Sequence, residues 1–243
     1  MCTGGVDLSA SPASTAVAVV EWASGAARVT DLVAPADDAT IRRIVAGTDR
    51  CGIDSPFGWP DAFVEFVTAH HRGHQAAGAD LDRIANRRPL AYRRTDRYLV
   101  DAGLGRPLSV SADQIAHVAF RCAGLLADLG VSDRVDGWAV EAYPAGALRQ
   151  WGLRSRGYKR SAHRDVLHDL VADLQCAAPW LDLGAHAEAM ASDDNAFDAV
   201  VTALVARAAA LRYTTLPADA DRAVAAREGW IHVPRCALDD LVG

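Results

Sequence analysis

The feature that most constrains the fold is a carboxylate set in an apolar opening strand. Cys2-Thr3-Gly4-Gly5-Val6-Asp7-Leu8 runs into a turn of small residues, Ser9 to Ser14, and a second apolar run follows from Thr15 to Trp22. Two such strands pair as a hairpin, with the second buried on both faces. An aspartate held there costs on the order of several kcal/mol unless a polar or cationic group meets it. Asp7 therefore demands a partner from a later part of the chain.

The next elements supply one. Ser24-Gly25 turns the chain into a third strand, Ala27 to Val33, giving an antiparallel meander. Pro35 and Asp37-Asp38 open a helix over Ala39 to Ala46, stopped by Gly47, and Arg50 to Asp54 then reads as a short strand ending in an acid. A strand reached through a helix lies parallel to an earlier one, beside the first in the simplest winding. That winding brings Asp54 beside Asp7. A fifth strand lies within Arg134 to Pro144, carries Glu141 near its end, and leads into a helix over Ala145 to Trp151. The expected fold is α/β, a mixed five-stranded sheet flanked by helices.

Helical patterning dominates elsewhere. Asp61 to His71, Asp80 to Arg87 and Ser111 to Leu129 read as helices, the last with a Ser111/Gln114 capping box and a stripe of Ile115, Val118, Ala119, Cys122, Leu125, Leu126 and Leu129. No long linker flanks 61–106, which reads as a helical insertion or cap within a single 1–243 domain. Further helices are expected from Ser161 to about Cys176 and from Asp193-Asp194 to Leu211, the second with Phe197, Val200, Val201, Leu204, Val205 and Ala208 inward. Arg227 to Pro234 ends the fold as a short edge piece.

Composition narrows the class. Of 243 residues 51% are hydrophobic and 23% charged, enough apolar surface for a sizeable core. No run of about 18 apolar residues and no basic, then apolar, leader is present, so the expectation is a cytoplasmic protein without membrane spans. Five scattered cysteines without a C-x-x-C pair point to reduced thiols rather than disulfides or zinc. A net charge of −6 argues mildly against nonspecific nucleic-acid binding, yet about half the basic residues fall in two clusters. These run from Arg83 to Arg97 and from Arg149 to Arg164, and they are either solvated faces or two banks of a phosphate-binding groove.

The acids carry the chemistry. Asp7, Asp54 and Glu141 stand on or at the ends of strands, and Asp194 and Asp198, spaced i, i+4, share one face of the last long helix. Carboxylates gathered that closely do not all ionise without cations. Hard oxygen donors select Mg²⁺ or Mn²⁺, and two such ions roughly 4 Å apart suit phosphodiester hydrolysis. Structural alternatives exist: Asp54 as a turn cap, Asp194 as a helix N-cap, Glu141 as the partner of a structural arginine.

With those residues in place, the order of elements resembles the ribonuclease H-like fold. G-V-D-L-S at Gly5, G-I-D-S-P-F-G at Gly52, R-x-T-D at Arg93, E-A-Y-P-A at Glu141, Tyr158-Lys159, D-x-x-x-D-A at Asp194 and E-G-W-I at Glu228 are similar, in order and spacing, to the domain-of-unknown-function family 429, whose members are predicted ribonuclease H-like nucleases. The resemblance implies a metal-dependent nuclease on DNA or RNA. Its ligands would be Asp7, Asp54 and an acid of the last helix, Asp198 in preference to Asp194, with Glu141 a further ligand or a support. Arg93, Arg94, Tyr158 and Lys159 are the candidate phosphate contacts. Two other expectations compete: a nucleotide-dependent phosphotransferase of the actin and sugar-kinase kind, in which Asp7 to Thr15 is a phosphate loop, and a non-catalytic binding module.

Overall fold

The computed structural model describes residues 1–74, 80–111, 113–159 and 164–243. The expected Ser111/Gln114 capping box and the start of the helix at Ser161 lie outside the described residues. The chain forms β1 (Cys2–Asp7), β2 (Ala16–Ala23), β3 (Ala26–Val33), α1 (Asp38–Val45), β4 (Arg50–Asp54), α2 (Asp61–His71), α3 (Ile84–Ala91), α4 (Arg94–Asp101), α5 (Asp113–Asp128) and β5 (Ala139–Ala142). It continues through α6 (Pro144–Gln150), α7 (Arg164–Ala177), β6 (Leu181–Asp182), α8 (Ala187–Ser192), α9 (Asp194–Ala210), α10 (Arg222–Glu228) and β7 (Ile231–His232).

The fold is mixed α/β, but its sheet has seven strands among the described residues, in the order β6-β3-β2-β1-β4-β5-β7, where five were expected. The meander is antiparallel, and β4 lies parallel to β1 with Asp7 opposite Asp54. The two extra strands are two-residue edges, β6 on β3 and β7 on β5. Segments that short carry no alternation for a sequence pattern to reveal. The helix α4 was also unforeseen; its capping acid, Asp96, sits inside the helix and accepts from the Arg93 N–H.

Strand parity explains how the layers meet. Residues two apart share a sheet face, so Thr3, Gly5 and Asp7 look one way with Gly52 and Asp54, while Val6 and Ile53 look the other. The Val6 and Ile53 side packs on α1 and α5 through Ile41, Val45, Cys122, Leu125 and Leu126. On the glycine side lies α9, buried around most of its circumference rather than along one stripe, because α6, α7 and α8 cover its back. A Cβ on Gly5 would come within 2.1 Å of the Ala199 carbonyl oxygen, and one on Gly52 within 2.6 Å of that of Thr202. The two glycines therefore let the helix backbone rest directly on β1 and β4.

The region 61–106 holds α2, α3 and α4 and is pinned by the C-terminal segment. Glu228 accepts the Asp61 N–H at one carboxylate oxygen and the Arg94 N–H at the other, placing negative charge at the starts of both α2 and α4. Tyr98 packs on Trp230, and Leu99 on Ile231 and Val233. No helix among the described residues is long and apolar enough to cross a membrane.

Candidate metal centre

The close approach of α9 to the glycines determines what meets at the strand ends. Gly5 and Gly52 each precede an aspartate by two residues, so Asp7 and Asp54 project on the face where the helix lies, just beyond its contact. Asp198, one turn into α9, reaches the same point. One carboxylate oxygen from each of Asp7, Asp54 and Asp198 lies within 4.8 Å of the others. Asp198 is fully buried and Asp7 is 7% exposed.

Tyr158 and Lys159 close the cluster. The Tyr158 hydroxyl donates to Asp198 Oδ1 at 2.8 Å, and Lys159 Nζ lies 2.6 Å from Asp198 Oδ2. Even so, Oδ2 accepts no well-aligned hydrogen bond. Burial pushes all three carboxyls up: Asp7 well above the carboxylate range, with Asp198 and Asp54 adding to the rise; Asp54 to about 7, although Lys159 opposes it; and Asp198 upward against the pull of Lys159 and Tyr158. Burial alone would lower the Lys159 ammonium, but Asp198, Asp54 and Asp7 outweigh that and hold it protonated. Three ionised carboxylates against one ammonium leave two negative charges in a poorly solvated site. A divalent cation balances that charge, and the orphaned Oδ2 and all-oxygen donor set suit a hard ion. The residues present fit the implied metal.

The other expected site residues fall elsewhere. Glu141 is taken by Arg93, whose Nη1 and Nη2 donate to its two oxygens at 2.7 Å each, while the Phe57 N–H donates to Oε2 at 3.0 Å. Arg93 also gives Nε and Nη2 to Asp96 and Nη1 to the Glu228 carbonyl, so all five guanidinium hydrogens are used, and the residue is 1% exposed. Gly229, at φ +83, makes room for this: a Cβ there would meet Glu141 Oε2 at 2.9 Å. Arg94 pairs with Asp221. Asp194 is half-buried, close enough to raise Asp7 and Asp198 electrostatically but outside the group of three; the N-cap of α9 is Asp193. The Asp7 to Thr15 turn is tied internally, with the Thr15 hydroxyl accepting from Arg121 and the Ser9 N–H and donating to the Ser11 carbonyl.

The cluster opens into a cleft of about 400 Å³. Asp7, Asp54, Lys159 and the Arg93–Glu141 pair line one side, and Leu8, Leu108, Ile115 and Val118 form an apolar wall opposite. Sequence reading missed Tyr143 and Asn195, which also line it. Both stood within quoted motifs, Tyr143 after Glu141 and Asn195 after Asp194, but neither type is titratable near neutrality and neither drew notice.

The protein is thus a mixed α/β molecule with a buried three-aspartate cluster at the ends of two adjacent parallel strands. It belongs to the family described as "Protein of unknown function (DUF429)", whose model matches residues 5–222. No curated protein and no solved structure shows significant similarity to it.

Proposed function

We propose that the protein is a metal-dependent phosphodiester hydrolase of ribonuclease H-like fold acting on DNA or RNA. The observation that carries this reading is the convergence of Asp7, Asp54 and Asp198 on one point at the mouth of a cleft. The central order β3-β2-β1-β4-β5, with one antiparallel meander and two parallel additions, supports the fold assignment. So does the helix laid across β1 and β4.

Asp7, Asp54 and Asp198 would hold the ion, Mg²⁺ or Mn²⁺, and Asp194 is the nearest further acid for a second. The ion supplies charge neutralisation at the phosphoryl group and activation of the attacking water. Tyr158 fixes the rotamer of Asp198 through its hydrogen bond, and Lys159, half-exposed at 52%, brings a cation from the solvent side to the same carboxylate. The Arg93–Glu141 pair braces the turn after β4 through the Phe57 N–H, and so holds Asp54 in place.

The test is Mn²⁺ binding by calorimetry, together with cleavage of single-stranded and structured oligonucleotides. The wild type is expected to bind Mn²⁺ and cut. Asp7→Asn is expected to lose both while gaining about 2 kcal/mol of metal-free stability, because it removes a raised-pKa carboxylate from between two others. Tight Mn²⁺ binding that survives Asp7→Asn overturns the reading.

A further inference from the structure

The cations that the sequence offers as phosphate contacts are engaged inside the protein: Arg93 with Asp96 and Glu141, Arg94 with Asp221, Lys159 with Asp198. Three other arginines are not. Arg106, in the link between α4 and α5, Arg149, in the last turn of α6, and Arg156, in the loop beyond it, line with Ser155 a second cavity of about 530 Å³. All three are exposed, no acid lines that cavity, and none of the three has an acidic partner among the described residues. Guanidinium groups gathered without a carboxylate repel one another and are relieved by an anion. Their planar, forked donors match phosphate oxygens in particular.

This cavity adjoins the carboxylate cleft. Tyr143 lines the cleft, and the segment before Arg106 packs against its ring, since a Cβ on Gly105 would lie 2.6 Å from Tyr143 Cε1. The Arg106 N–H is bonded to the Tyr143 phenol oxygen, and that phenol feels both Asp54 on one side and Arg156 on the other. Pro107 lines the cleft directly after Arg106. The cleft's apolar wall of Leu8, Leu108, Ile115 and Val118 suits an unpaired base, which a duplex does not present.

We propose that Arg106, Arg149 and Arg156 bind a backbone phosphate of a single-stranded nucleic acid whose neighbouring phosphodiester lies at the Asp7, Asp54 and Asp198 cluster. The inference rests on the hydrolase reading for its substrate class, and binding is measured without metal so that the two fail separately. The probe is a short fluorescein-labelled single strand, DNA and RNA in turn, followed by anisotropy in EDTA over a salt series. The triple variant Arg106→Gln/Arg149→Gln/Arg156→Gln changes exposed side chains only, and its unchanged melting temperature is the folding control. Its affinity is expected to fall about tenfold or more, and the slope of log affinity against log salt by about two, at roughly 0.7 per lost phosphate contact on a single strand. Asp7→Asn is expected to bind at least as tightly as the wild type. Unchanged affinity and slope in the triple variant overturn the proposal, as does a wild type that binds pyrophosphate but neither strand. A wild type that binds the strand through these arginines yet never cuts it with Mn²⁺ leaves the phosphate site standing and removes the hydrolase reading.

Discussion

Two buried acidic sites lie side by side in this molecule and differ in how their charge is met. Around Arg93, two carboxylates, Asp96 and Glu141, share one guanidinium, and the Arg93 and Phe57 backbone N–H groups complete the network. Around Asp198, three carboxylates share one lysine, and Asp198 Oδ2 is left without a well-aligned donor. The first site is saturated from within and serves as architecture. The second retains negative charge that the chain does not balance, which is why a cation is inferred at one and not at the other. A buried charge by itself says little; the donors counted around it distinguish a brace from a binding site.

The contrast can be broken at its saturated side with the largest effect. Arg93→Ala strands Asp96 and Glu141 in the interior and is expected to cost about 3–5 kcal/mol, lowering the melting temperature by about 10 °C. A loss under about 1 kcal/mol would mean that the pair is solvated and the contrast false.

The unsaturated side answers to pH. Asp54, at about 7 in the folded protein against 3.8 in the unfolded chain, keeps a proton that the unfolded chain has already released. Its favourable contribution is complete below about pH 4 and is lost as pH rises through about 7, on the order of 3 kcal/mol without metal. His232 acts in the opposite sense over much of the same range. Buried between the Thr214 hydroxyl and the Val135 carbonyl, its imidazole is held down to about 4, so its contribution is lost as pH falls from 6.5 toward 4. The measurement is therefore the difference in melting temperature between wild type and Asp54→Asn, which is expected to turn against the wild type as pH rises and to close when Mg²⁺ is added. A difference that does not change with pH would place Asp54 among ordinary solvated carboxylates.

The smallest effect probes the joint between cluster and core. Tyr158→Phe removes one hydrogen bond to a buried carboxylate and is expected to cost about 1.5 kcal/mol. It should also weaken Mn²⁺ binding about tenfold, because the ligand's orienting partner is gone. Calorimetry reads both effects; a stability loss with unchanged Mn²⁺ affinity would assign Tyr158 to the core alone.

Much of this centre was legible in the chain. The meander, the parallel return of β4 and the pairing of Asp7 with Asp54 follow from apolar runs, turn residues and winding rules, which act over short separations and leave periodic traces. The long helix with Asp198 one turn inside it follows in the same way. The repeated glycine-x-aspartate spacing in Gly5-Val6-Asp7 and Gly52-Ile53-Asp54 already held the reason for the site: a bare backbone where a helix rests, and a carboxylate on the same face beyond it.

What the tertiary structure alone decided is which charged groups answer which. Glu141 resembled Asp7 and Asp54 as an acid near a strand end, yet Arg93, 48 residues away, claims it. Arg93 and Arg94 resembled phosphate contacts until Asp96, Glu141 and Asp221 reached them. Conversely Arg106, Arg149 and Arg156 drew no individual attention in the sequence and emerge as the arginines without acids at the mouth of the cleft. Periodicity reports which face of an element is buried, but a salt bridge depends on where the ends of long side chains arrive in three dimensions, and no local pattern records that.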